Sequence, residues 1–137
     1  MNWTLEVVVV PVSDVDRSKK FYEEGLGFHV DHDTLISKDL RVVQLTPPGS
    51  GCSIVIGKGL GAMDPGSLEG LQLVVSDIRR ARAELVERGV PATEVQVYGK
   101  EGLRPMEEGD DLNNVGFVYF SDPDGNRWAV QQITDRD

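Results

Sequence analysis

The sequence predicts an α+β fold made of two βαβββ modules. Three observations carry that prediction. A strand runs straight into a helix near the start of the chain, since Val8, Val10 and Val12 alternate and helical spacing follows through Val15, Ser18, Phe21 and Tyr22. A second copy of that stretch sits 63 residues later, pairing Val12 with Val75, Ser13 with Ser76, Asp14 with Asp77, Val15 with Ile78, Arg17 with Arg80 and Glu24 with Glu87. Short strand-like runs separated by turn residues then follow each helix.

The elements read in order as follows. Trp3 to Val12 is the first strand, and Asp14 to about Glu24 the first helix, capped by Ser13 or Asp14 and stopped by Gly25 and Gly27. Residues 27–31 form a short strand, Leu40 to Leu45 another ended by Thr46-Pro47-Pro48-Gly49, and Cys52 to Ile56 the last of the half. Module one thus covers about 3–57, a glycine-rich linker about 58–69, and module two about 70–134. In the second half Leu71 to Val75 is a strand, and Asp77 to Arg88 a helix with Ile78, Ala81, Leu85 and Val86 on one face. Thr93 to Tyr98 is the next strand, followed by a long polar loop, 99–114, bearing Glu101, Glu107, Glu108, Asp110 and Asp111. Its length suits a lid or cavity wall as well as a solvated connection. Gly116 to Phe120 and Arg127 to Ile133 are the last two strands. Between them Pro123 presets the first turn position, Asp124 tolerates the second, and Gly125 supplies a positive φ.

Composition narrows the function. Lys and Arg total 14 against 23 Asp and Glu, a formal charge of −9 over 137 residues. Such a surface repels phosphate backbones and anionic membranes, so neither nucleic acid nor a membrane is an expected partner. No run approaches the roughly 18 apolar residues of a membrane span. Cys52 is the single cysteine and makes no internal disulfide. With no secretory signal pattern, the expected location is the cytoplasm.

The two βαβββ modules, the Val-Ser-Asp at each helix entry (12–14 and 75–77) and Asp122-Pro123-Asp124-Gly125-Asn126 together resemble the vicinal-oxygen-chelate superfamily. It takes in glyoxalases, extradiol dioxygenases, fosfomycin-resistance enzymes and bleomycin-resistance proteins. The resemblance runs from about Thr4 to Ile133 and rests on order and spacing more than on any one motif. It implies a curved mixed sheet with a concave cavity, often in a homodimer. Enzymes of the family usually hold a divalent metal with His, Gln or Glu on four strands. Counting from the repeat places those positions at Val7 and Gly70; counting from the turn glycines gives Val55 and Ala129. None carries a metal-ligating side chain. A one-residue slip would bring Glu6 near but turn the apolar face outward. The resemblance therefore points to the metal-free, bleomycin-resistance-like branch, with no cofactor and no catalytic residue.

Other candidates are weaker. His29 and His32 read as solvated histidines near a strand end, and Cys52 has no histidine in pattern to activate it. Strand alternation sends Gln72 with Gly70 and Val74 to the cavity, and Leu71, Leu73 and Val75 to the helix. Arg127, Ala129 and Gln131 share the cavity face, while Trp128 and Val130 face the helix. Phe117 and Tyr119 are assigned to the cavity, and Trp3 to its rim or a dimer contact. The expected ligand face is thus Val7, Val9, Val55, Gln72, Val74, Phe117, Tyr119, Arg127, Ala129 and Gln131. Aromatic surfaces beside a few amides suit a small, planar aromatic molecule with polar edges. The expected function is sequestration of an aromatic natural product or antibiotic. The alternative is a lyase, isomerase or dioxygenase with an atypical metal site or none.

Overall fold

The computed structural model of the protein describes residues 1–135. Each module builds its own mixed sheet. In the first, β1 (Val7–Val9), β2 (His29–Ser37), β3 (Leu40–Thr46) and β4 (Ser53–Lys58) lie in the order β1-β4-β3-β2. In the second, β5 (Leu71–Val75), β6 (Gln96–Gly99), β7 (Gly102–Pro105), β8 (Gly116–Ser121) and β9 (Arg127–Gln132) lie in the order β5-β9-β8-β6-β7. In both, the strand before the helix runs parallel to the last strand, and the remaining pairs are antiparallel. The chain divides into two compact units. Met1–Leu68 and the turn Asp122–Asn126 form one; Glu69–Ser121 and the described residues from Arg127 onward form the other.

The repeat is reproduced in the helix caps. Asp14 precedes α1 (Val15–Lys20) in an extended conformation and accepts from the Arg17 amide. Asp77 precedes α2 (Ile78–Glu87) in nearly the same conformation and accepts from the Arg80 amide. Each cap satisfies an amide that the first helical turn leaves without an intrahelical partner.

Register assigns the faces. In the first unit Val8, Val10, Val43, Leu45, Ile54 and Ile56 share the helix side, and all but Val8 are buried. Tyr22 and Phe28 join that core. In the second, Trp128, Val130, Val118 and Phe120 lie on the helix side, and Trp128 stacks on Phe120 with ring centroids 5.8 Å apart. Trp128 is therefore core, as its alternation predicts.

Several boundaries differ from the sequence reading. The first strand starts at Val7, because β4 offers no partner before Ser53 and only the Glu6 carbonyl is used upstream. Regular α-helix ends at Lys20 and continues as a π-helical turn, Phe21–Gly25. The short strand at 27–31 is the start of the nine-residue β2, whose alternation is hidden by register shifts between Val30 and His32 and between Leu35 and Ser37. Strand β6 begins at Gln96 rather than Thr93, whose hydroxyl and carbonyl serve as side contacts for Tyr119 and Arg82. The polar loop 99–114 contains β7, which folds back on β6 through Lys100-Glu101. On α2 the packed row is Ile78, Ala81, Arg82 and Leu85, while Val86 is half exposed. Arg82 earns that place by donating to the Thr93 carbonyl at 2.9 Å.

The turn 122–126 is densely hydrogen-bonded within the first unit. Asp122 Oδ1 accepts from the amides of Asp124, Gly125 and Asn126. Its Oδ2 accepts from Tyr22 Oη and Asn126 Nδ2, both at 2.7 Å. Asn126 also donates to the Pro11 carbonyl at 2.8 Å and accepts from the Leu68 amide at 3.0 Å. Gly125 takes φ +100°, a conformation glycine adopts without strain. Asp122→Ala leaves several buried donors without acceptors, each costing roughly 1–3 kcal/mol. Urea unfolding is expected to show a loss of about 3 kcal/mol or more for that variant. Tyr22→Phe, which removes a single donor with little change of shape, is expected to lose about 1 kcal/mol.

Candidate functional site

The open face of the second sheet, away from α2, gathers the residues that alternation assigned to it. Gln72 stands opposite Ala129, which stands opposite Tyr119; Val74 stands opposite Gln131, which stands opposite Phe117. Arg127 continues the same face of β9, paired with Ser121. Phe117 and Tyr119 stack with centroids 6.1 Å apart and planes 10° from parallel. Tyr98 meets Phe117 edge-on at 5.9 Å, extending the aromatic row onto β6. Neither Tyr98 nor Gln96, opposite Phe117, was singled out from the sequence. A stricter count of alternation along Gln96-Val97-Tyr98 would have found both.

The polar groups are already oriented. Gln72 Nε2 donates to Gln131 Oε1 at 2.5 Å, and Gln131 Nε2 donates to the Asn114 carbonyl at 2.7 Å. The Gln131 amide is thus engaged at both ends, and the Gln72 carbonyl oxygen is left to accept. Arg127 is largely exposed, its guanidinium 3.6 Å from Glu69. Burial, with a smaller contribution from Tyr98, pushes the Tyr119 phenol above its ordinary pKa, so it stays a neutral donor and acceptor at physiological pH. At this end of the sheet a cleft of about 660 Å³ is lined by Pro91, Thr93, Tyr119, Ser121, Arg127 and neighbouring residues. Its size falls in the range of small-molecule sites.

On the first sheet's open face, Val7 lies opposite Ser53 and Val9 opposite Val55. A separate cleft of about 360 Å³ runs from Val9 through Val12 and Val15 to Leu60 and Met63. It is closed below by Gly57, where a Cβ would overlap the Arg41 carbonyl oxygen. His29 and His32, expected near a strand end, lie within β2; they approach Asp31 and Gln44 respectively. Cys52 is a half-buried thiol near the Ser53 carbonyl.

The four positions at which the resemblance expects metal ligands do not fit a divalent ion. Val7, Val55 and Ala129 bring hydrocarbon to the open faces, and Gly70 stands before β5 at φ +91° with no side chain at all. Among the described residues no group of three or more His, Cys, Asp or Glu is placed to hold a metal. Nor is any helix among them long and apolar enough to cross a membrane.

Both modules, one βαβββ and the other with the additional strand β7, are capped alike and carry half-apolar open faces. The model of the Glyoxalase/Bleomycin resistance protein/Dioxygenase superfamily matches residues 4–130, and the chain belongs to that superfamily. Among solved structures it is similar to TnmS3, an antibiotic binding protein from Streptomyces sp. CB03234. Identity is 31%, coverage 96% of this chain and 97% of that one, and the TM-score 0.74. A glyoxalase/bleomycin resistance protein from the same organism is 32% identical over 94% of this chain and 100% of the other, with a TM-score of 0.71. A superfamily member from Sphaerobacter thermophilus DSM 20745 is 28% identical over 96% and 98%, with a TM-score of 0.74. No curated protein matches the chain.

Proposed function

We propose that this protein binds and sequesters a small aromatic molecule, such as an antibiotic, without a metal and without transforming it. The observation that carries the reading is the Tyr98–Phe117–Tyr119 row beside the Gln72–Gln131 amide pair, on a sheet whose expected ligand positions hold Gly70 and Ala129. A planar ring laid along that row gains from burial at roughly 25 cal/mol per Å², before ordering costs. Each stacking contact adds roughly 0.5–1.5 kcal/mol. Arg127 favours a carbonyl, phenolate or carboxylate edge on the ligand, and the Gln72 oxygen favours a donor. Val7, Val9 and Val55 form the corresponding apolar patch on the first sheet. The similarity to an antibiotic binding protein over nearly the full chain supports the same class of ligand.

The protein is proposed to act in the cytoplasm as a homodimer. Strands β1 and β5 are sheet edges, and Trp3, Leu5 and Val74 are exposed apolar groups on or beside them. An edge of that kind invites cover by a second copy.

Three outcomes are expected. Elemental analysis of gently purified protein finds far less than one zinc, iron, manganese or nickel per chain; a stoichiometric metal would overturn the metal-free reading. Light scattering at micromolar concentration gives the mass of a dimer, and a monomer mass alone would count against the pairing. In a calorimetric screen of aromatic natural products, Tyr119→Ala weakens the best binder about tenfold, the equivalent of about 1.4 kcal/mol. Gln72→Ala weakens it less. A tight binder indifferent to both substitutions would place the site elsewhere.

A further inference from the structure

The open face of the first sheet carries a second constellation, unused by the aromatic row. At the bulge in β2 the alternation slips, so that Asp31 reaches Thr46 on the face also occupied by His29 and His32. Bulges of this kind re-aim side chains that a regular strand would send to opposite faces. Asp31 accepts from Thr46 Oγ1 and, at 3.1 Å, from His29 Nδ1. Thr46 Oγ1 and Ser53 Oγ are 2.6 Å apart, and His32 Nε2 lies 3.2 Å from Gln44 Oε1.

The donor inventory sets the direction of each bond. A carboxylate only accepts, so the Thr46 hydroxyl gives its single proton to Asp31 and takes one from Ser53. Ser53 is left with lone pairs alone. His29 donates to Asp31 through a protonated Nδ1. Gln44 Oε1 only accepts, so His32 donates to it through Nε2. The Thr46 hydrogen bond, with that of His29 next, holds the Asp31 carboxyl below its ordinary pKa, and it stays ionised. The basic side chain within 4 Å of it among the described residues is His29, whereas Asp33, on the helix side, is held by both Arg41 and Lys19. The face therefore presents the Asp31 carboxylate and the Ser53 lone pairs as acceptors, with the His29 and His32 rings, the Gln44 amide and Val7, Val9 and Val55 beside them.

We propose that this face is a binding site for a donor-rich group, an amine- and hydroxyl-bearing ring of the amino-sugar kind. An ammonium answers the ionised Asp31 and hydroxyls answer the Ser53 lone pairs, and the chain's formal charge of −9 draws a cation toward it. The site rests on the first sheet's own geometry and stands whether or not the second sheet takes an aromatic ligand.

Amide-detected NMR of the intact protein, titrated with glucosamine, glucose and glucuronate, tests it. Glucosamine is expected to shift the signals of residues 29–32, 44–46 and 53–55 saturably. Glucose, with hydroxyls but no ammonium, is expected to shift the same signals more weakly, and glucuronate to leave them in place. Asp31→Asn and His32→Phe, both exposed positions, should each weaken glucosamine at least tenfold while leaving the signals of Phe117 and Tyr119 unmoved. No saturable shift with glucosamine, or shifts that survive both substitutions, would overturn the proposal. Failure of the aromatic screen would leave this result untouched, so the two readings fail separately.

Discussion

The buried carboxyl of Asp122 is the group on which most else depends. A polar side chain 5% exposed is tolerable only when its lone pairs are filled, and five donors fill them. Those donors tie together the turn's own backbone, the Tyr22 hydroxyl and the Asn126 amide, and through Asn126 the Pro11 carbonyl and Leu68 amide. Tyr22 and Asn126 are themselves fully buried. The strand-to-helix passage at Pro11 and the end of the inter-module segment at Leu68 thus depend on one carboxyl. Ser13 Oγ donates to Asp124 at 2.5 Å, so the same turn also steadies the entry to α1.

The duplication preserved backbone chemistry and let the open faces diverge. The caps at Asp14 and Asp77 coincide because a helix start needs the same acceptor wherever it occurs. Open-face side chains answer to no such requirement. By register Val9 corresponds to Gln72, Val55 to Ala129 and Gln44 to Tyr119. One face became a hydrogen-bonding surface and the other an aromatic one. Val7 and Val55 keep hydrocarbon on the first open face, and Ala129 keeps it on the second.

Local pattern was enough wherever one physical rule governs. Period-two alternation correctly separated Gln72, Phe117, Tyr119 and Gln131 from Leu71, Leu73, Trp128 and Val130, because a pleated strand cannot do otherwise. The repeat located both helix starts, and Asp-Pro-Asp-Gly located the last turn, because caps and turns are written in a few consecutive residues. Tertiary structure decided what depends on partners distant in sequence. The first strand is short because β4 begins at Ser53; β2 is long because β3 runs beside it to Leu40. The bulge at Asp31 exists only as a mismatch between two strands, and it alone unites His29, Asp31 and His32 on one face. Likewise the hydrogen bonds that tie the turn to Tyr22, Leu68 and Pro11 span 58 to 115 positions. No periodicity records them, because a hydrogen bond depends on distance in space and not on distance along the chain.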